Sequence, residues 1–494
     1  MSNVLLLIAI VFPIVMALIV RSLRIPVKVK DWVNLAVVII TSTISFTVIF
    51  LNPSESFSIF KFSDSLPVEL KLDNLGRIFA GMVSLLWPFA FLYTIEYMSH
   101  DDVRRNYSMF YIMTFGVVLG IAFSSNLITM YFFYELLTLV TLPLVIFSFT
   151  KEAKRATRFY LYISLFGSTL ALFGILTLYT QFGICDFVGF KETVNNVAKV
   201  GNEKTLLYAA YLLMFFGFGV KSAIFPLHKW LPTAGVAPTP TTALLHTVAV
   251  VKAGAFAIIR TIYSAIGVEL LSGSAVQIVS ILFASFTIVF GSAMALKQNH
   301  LKRRYAYSTI SNISYIILAA CMMNETGIYA AILHLLFHSF AKISIFFTAG
   351  VLMHQADVTY IDQIDGLGKK MPITFTLYTL SSLSLTGIPL FSGFISKLEI
   401  ANATINVGTW YSLIGLIAIF VSAMFTAVYT IDLVIRAFFK KPNDYNMENY
   451  EMAKEGSYKF LIPISTFAII SVFLGTFAAP FLELIKSLLQ GGGV

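Results

Sequence analysis

Apolar runs of about twenty residues follow one another along the whole chain, separated by short polar breaks. A run of that length matches the hydrocarbon core of a bilayer when it is helical. Inside lipid each backbone N–H needs a partner within its own segment, so such runs are helices or closed barrels, and twenty residues is too long for a barrel strand. The composition agrees: 58% of residues are hydrophobic and 12% charged, where a soluble domain carries about 25% charged residues. About fourteen spans can be counted, near residues 3–20, 32–51, 77–97, 108–123, 126–149, 157–180, 205–225, 241–265, 275–296, 305–323, 326–352, 372–398, 409–436 and 459–484. The expectation is an all-α membrane protein in which the breaks at Ser124–Asn126 and Asn324–Gly327 separate distinct helices.

The loops test that count. Lys and Arg follow the odd spans: Arg21, Arg24, Lys28 and Lys30; Arg104 and Arg105; Lys151, Lys154, Arg155 and Arg158; Lys229; Lys297, Lys302, Arg303 and Arg304; Lys369 and Lys370; Lys440 and Lys441. Short even loops carry almost none, and the longer second and sixth loops mix basic residues with Glu55, Asp64, Glu69, Asp73, Asp186, Glu192 and Glu203. The positive-inside rule then puts the odd loops in the cytoplasm and both termini outside a cell (inner) membrane. This asymmetry also accounts for the net charge of +9, which is therefore no sign of nucleic-acid binding. The first run lacks a basic n-region and reads as a retained span. Two cysteines, Cys185 and Cys321, cannot hold an iron–sulfur cluster, and no motif attaches haem. The expectation is no cofactor, no metal and no redox site in this chain.

Ionisable residues within the spans carry the functional argument, because a charge near the bilayer centre costs about 2.5–3.5 kcal/mol on insertion scales and normally faces a polar interior. Lys221 lies about one turn before a breaker holding Pro226, Pro232, Pro238 and Pro240; the next span carries His246, Lys252 and Arg260. Glu135 sits in the fifth span with no basic neighbour in sequence, so Lys221 is its expected partner. A carboxylate favours the protonated lysine and desolvation opposes it, so a Glu–Lys pair of variable separation works as a proton gate. In the eleventh span His334, His338 and Lys342 recur at i, i+4 and i+8, on one helical stripe. Histidine relays protons near neutral pH; two His and a Lys make a poor metal site. Gly387, Pro389 and Gly393 interrupt the twelfth span just before Lys397, echoing the seventh, and paired interrupted helices mark ion sites in inverted-repeat transporters. Tyr307, Ser308, Thr309, Ser311 and Ser314 in the tenth span suit either water between charges or hydrogen bonds between helices.

The segments KSAIFPLHKWLPTA, APTPTTALLHTVAVVKAG, LKRRYAYSTISNISYI, HLLFHSFAKISIFFTAG, DGLGKKMP and TGIPLFSGFISKLEI resemble the antiporter-like membrane subunits of respiratory complex I, Mrp-type sodium/proton antiporters (their D-type subunits) and energy-converting hydrogenases. The likeness runs in order over roughly residues 115–400. It implies fourteen helices, two inverted five-helix repeats with helices 7 and 12 broken, and a polar axis along the membrane midplane. The division that follows is 1–107 for helices 1–3, 108–265 and 275–436 for the repeats, and 437–494 for a cytoplasmic loop and helix 14. The family's functional positions fall on Glu135, Lys221, Lys252, His334, His338 and Lys397. Two departures are Gly235, where many members have a histidine after the WLP motif, and Asn299–His300 in place of an aspartate. The early end after span fourteen suggests the shorter type of subunit.

The function expected is proton, or sodium/proton, translocation along Glu135, Lys221, Lys252, His334, His338, Lys342 and Lys397. The chain would be one of several membrane subunits, and any redox chemistry of a parent oxidoreductase would sit on partners. The alternative is a stand-alone secondary transporter of a small solute, which needs a pocket at the broken helices but no chain of titratable groups.

Overall fold

The computed structural model describes residues 3–53, 55–62, 66–99, 104–183, 187 and 203–490. Asp64, Cys185, Asp186 and Glu192 lie outside the described residues. The chain opens with α1 (Val4–Ser22) and α2 (Val27–Leu51), then a hairpin of β1 (Phe57–Lys61) and β2 (Pro67–Leu70). Next come α3 (Asn74–Tyr97), α4 (Arg104–Ala122), α5 (Leu127–Val145), α6 (Lys151–Phe182) and α7 (Glu203–Lys221). After a broken segment α8 runs Thr239–Ile266, with π-helical turns at Leu244–Val248 and Arg260–Ile266. The rest is α9 (Ala275–Lys297), α10 (Leu301–Ala320), α11 (Glu325–Ala356), α12 (Pro372–Thr386), α13 (Ser392–Val407), α14 (Trp410–Phe439), α15 (Tyr458–Thr476) and α16 (Ala479–Gln490). Among the described residues ten helices are long and apolar enough to cross a membrane. Multi-pass membrane architecture follows.

Helix boundaries fall where local chemistry dictates. Asn126 and Asn324 cap α5 and α11, accepting from Thr129 N and Gly327 N, so both narrow breaks in the sequence separate helices. At the twelfth span Gly387 takes a left-handed conformation (φ 90°), and its N–H meets Leu383 O and Ser384 O, closing α12 before Pro389. Close approach of α6 and α7 depends on small residues: a Cβ at Gly217 would stand 2.5 Å from Ala171 N.

Two expectations need correction. The fold is mostly helical but not all-α: in the second loop Phe57 pairs with Leu70 and Lys61 with Pro67 in an antiparallel sheet, and Leu70 bridges Ser124. The aromatic and β-branched residues of FSIFK favour this, and the acidic residues around it hid the signal. The last span is not one helix over 459–484. Pro480 has no N–H to continue the ladder, so α15 stops at Thr476 and α16 begins afresh.

Backbone and side-chain bonds sort the loops into two ends. At one end Arg21 reaches Asn106, Lys459 reaches Glu96, Leu301 N bonds Thr359 O, and Gly366 N bonds Arg436 O. These are the ends of α1, α3, α9, α11 and α14, which carry the Lys/Arg clusters. At the other end Ser125 N bonds Glu69 O, Tyr263 Oη donates to Ala320 O, and Asn406 reaches Thr326. The alternation of basic loops in the sequence is thus a physical segregation of two faces. α8 and α11, whose membrane-crossing windows are wholly buried, form the middle of the bundle.

Candidate functional site: a buried line of lysines and histidines

Lys252 and His338 meet at the centre. Lys252, 0% exposed on α8, donates from Nζ to Leu335 O at 3.0 Å and lies 3.0 Å from His338 Nδ1 on α11. One helical turn away His334 continues the line: the two imidazole centroids are 5.9 Å apart. His334 Nδ1 lies 2.9 Å from Ser396 Oγ on α13, and its ring packs edge-on against Tyr315. Lys397, next to Ser396, reaches back across the break to donate to Leu385 O (2.8 Å) and Thr386 O (3.0 Å). Those are carbonyls at the C-terminal end of α12, where helix dipoles favour a cation. Lys252, His338 and His334 therefore line up in contact, and Lys397 adjoins them across the Tyr315 ring, which both its amine and the His334 ring face.

Lys342 does not extend that line, although it shares the α11 stripe. Its Nζ donates to Ser308 Oγ at 2.6 Å, and Ser308 Oγ lies 2.7 Å from Tyr429 Oη on α14. Arg304 then donates to Tyr429 O and to Asp432, which is half-buried on the basic-loop face. Lys342 thus heads a branch toward that face. Lys302 belongs beside it, buried with Nζ on Ala237 O at 2.9 Å. His246 feels both lysines electrostatically, and its ring lies 4.9 Å from that of Phe346 on α11.

Lys221 stands apart from this group. It is in the last turn of α7, buried, with Nζ on Tyr134 O and 3.4 Å from the centre of the Tyr134 ring. Glu135 interacts electrostatically with Lys221, Tyr131 and Tyr160, but no ion pair joins it to Lys221. Glu135 itself is half-buried on the flank of α5, one turn from the exposed Leu139, with Oε1 lacking a partner. Among the described residues no carboxylate forms an ion pair with Lys221, Lys252, Lys342 or Lys397. Their charges rest on carbonyls, hydroxyls, rings and, for Lys252, an imidazole.

Arg260 is a different kind of buried charge. Both guanidinium Nη atoms meet the Asp73 carboxylate, and Nη2 also donates to Ala122 O at 3.2 Å. It lies over the rings of Phe187 and Phe256 and ties α8 to the start of α3. It is a structural clamp away from the line.

Sequence reasoning missed Lys302 as a buried lysine, since it reads as part of a basic loop, and missed Ser396 and Tyr429 altogether. Ser396 is visible only as Lys397's neighbour. Tyr429 has a helical-spacing signal, Ser422, Thr426 and Tyr429 on one stripe of α14, and Ser422 Oγ indeed meets Ser311 Oγ at 2.9 Å.

Residues 124–426 match the family described as NADH:quinone oxidoreductase/Mrp antiporter, TM. The chain is 31% identical over 407 residues to the A-type Na(+)/H(+) antiporter subunit of Alkalihalophilus pseudofirmus, covering 77% of this chain and 49% of that one. It is 32% identical over 430 residues to NADH-ubiquinone oxidoreductase chain 5 of Dictyostelium citrinum, covering 83% and 62%. The chain thus spans about half the length of the curated relatives it matches. Its fold resembles a chain of the membrane-bound sulfane sulfur reductase, an archaeal respiratory membrane complex (TM-score 0.85, 22% identity, 98% of this chain and 97% of that one). It also resembles a chain of the Mrp complex from Dietzia (TM-score 0.83, 18% identity, 99% and 97%). The family match covers every residue of the buried line, from Glu135 to Lys397, and the chain belongs to the membrane-domain family shared by NADH:quinone oxidoreductases and Mrp antiporters.

Proposed function

We propose that this chain translocates protons, alone or in exchange for sodium, as one membrane subunit of a multisubunit complex. The observation that carries this is the continuous contact of Lys252 with His338 in a fully buried site, extended by His334 to Ser396 and Lys397 without a counter-ion. Groups that titrate, touch one another and have no fixed ion pair suit proton transfer. Lys221 and Glu135 form the start of the path, Lys252 and the two histidines its centre, and Lys397 the far end, with the Lys342 branch as a second connection to the basic-loop face.

The finer architecture belongs to the same proposal. Fourteen membrane spans, α12 and α13 together counting as one, are arranged as repeats over 108–265 and 275–436. The basic-loop face is cytoplasmic and both termini are outside. Relatives belonging to Mrp antiporters and NADH oxidoreductases favour other membrane subunits as partners. The chain itself supplies the path, with any redox centre carried by a partner.

The test is ion-coupled activity of the assembled complex in vesicles. Lys221→Ala and Lys397→Ala should each abolish translocation while the complex still assembles. Full activity in both would end the proposal and favour a stand-alone solute transporter.

A further inference from the structure

On the basic-loop face lies a concavity of about 570 Å³ that shares no lining residue with the buried line. Three cations from three elements converge on it: Arg155 from α6, Lys229 from the broken segment, and Arg303 from the first turn of α10. None of them forms an ion pair among the described residues, and the single carboxylate in the lining, Glu152, leaves the site positive. Arg304, Arg436 and Lys459 on the same face find carboxylates; what sets the trio apart is that three cations from separate elements line one concavity.

The wall toward the bilayer is apolar. Phe159 and Val236 line the concavity and are 37% and 40% exposed. From Phe159 the exposed stripe of α6 continues through Tyr162 and Phe166, at helical spacing, toward the membrane interior. Cations at the level of the loops with an apolar track descending from them match one ligand chemistry, a phosphate headgroup joined to acyl chains. Basic pockets between helices on the cytoplasmic side are where anionic headgroups dock, and the volume suits a small-molecule group. An acidic protein segment would satisfy the charges but not the track.

We propose that this concavity binds the headgroup of an anionic phospholipid. The bound lipid bridges α6, the broken segment and α10. Val236 is next to Ala237, whose carbonyl holds Lys302, so occupancy steadies the break that follows Lys221. The site does not depend on the ion path being used as proposed above.

The test uses the chain in its native assembly, isolated in mild detergent and stripped of lipid. Phosphatidylglycerol, phosphatidylcholine and inorganic phosphate are each titrated while thermal stability is followed, and native mass spectrometry counts retained lipid. Phosphatidylglycerol should stabilise the wild type. In Arg155→Gln/Lys229→Gln/Arg303→Gln its apparent affinity should fall on the order of a hundredfold, about fivefold per charge. Phosphatidylcholine and inorganic phosphate should do neither. Equal binding by the triple variant overturns the proposal. So does equal stabilisation by inorganic phosphate, which would mean a free-anion site, or an acidic protein cross-linked to Lys229 that the lipid does not displace. Should the triple variant fail to accumulate, Glu152→Gln decides: phosphatidylglycerol must bind about fivefold tighter, and no change refutes the assignment.

Discussion

The Asp73–Arg260 clamp gives the sharpest quantitative prediction, because its two charges differ in burial. Arg260 is 0% exposed, whereas the Asp73 side chain is 36% exposed. Asp73→Asn keeps the cap on Gly76 N, since Asn caps as well as Asp, but leaves a guanidinium without its carboxylate. Stranding a buried charge costs about 3–5 kcal/mol. The bond to Ala122 O and the two aromatic rings remain, so the low end applies, about 3 kcal/mol. Arg260→Met removes the pair from the other side. The carboxylate left behind still accepts from Gly76 N at 2.7 Å and reaches water, so the loss should be about 1 kcal/mol. With both changes no stranded charge exists, and the double variant should recover to within about 1 kcal/mol of wild type, a coupling of at least about 3 kcal/mol. Mixed-micelle SDS titration of the three variants reads these differences. The reasoning fails if Asp73→Asn is no worse than Arg260→Met, or if the two losses simply add. Folded Arg260→Met should keep translocating ions, since Arg260 touches no residue of the buried line.

Tyr429→Phe removes one hydroxyl and should slow translocation about tenfold while costing about 1 kcal/mol in stability; unchanged vesicle transport would remove the Lys342 branch from the path. Glu135→Gln keeps the side-chain volume and hydrogen-bonding capacity but not the charge, so it should assemble normally yet lose coupling, as judged by co-purification and ion flux on the same sample. Outside the spans, burial and then the nearby Arg303 and Lys302 hold His300 below its ordinary range. The folded state therefore binds fewer protons there than the unfolded one, and stability is lost as pH falls below about 6.5. His300→Gln should lessen that acid sensitivity in a melting series between pH 7 and pH 5, and an identical slope would contradict it.

The helices and their faces were legible because bilayer length and Lys/Arg alternation are one-dimensional signals. Asn126, Asn324, Gly387 and Pro389 mark ends that backbone chemistry imposes wherever those residues stand in a helical run. The hairpin at Phe57–Lys61 was hidden because five residues among acidic neighbours carry too short a pattern, and Pro480 was passed over because its neighbours are uniformly apolar. Within the site the single-helix relation of His334 and His338 was readable from spacing. Which lysine each would meet was not, because that depends on how α8, α13 and α14 surround α11. Spacing put Lys342 on the histidine stripe; packing turned its amine to Ser308 instead. Lys302 shows the same limit, since a lysine one position into a helix reads as solvated until the fold lays Ala237 across it.

The way the lysines are held bears on how the path would be driven. A lysine locked to a carboxylate keeps its proton, and moving that proton requires breaking the pair. Lys221, Lys252, Lys342 and Lys397 rest on neutral dipoles, so modest changes in field decide whether each carries charge. The carboxylate that acts on Lys221 is Glu135's, on a half-exposed flank rather than inside the bundle. At an effective dielectric of about 20, bringing a carboxylate from about 8 Å to about 4 Å from an ammonium changes its energy by about 2 kcal/mol. That is a factor of about thirty in proton affinity, enough to load or unload a lysine. Among the described residues nothing fixes Glu135 in either position: its Oε1 is buried without a partner, and Leu139, one turn on, faces outward. A surface covering this flank would therefore set the field at Lys221, and under the proposed function a neighbouring subunit would act on the chain there rather than at the histidines.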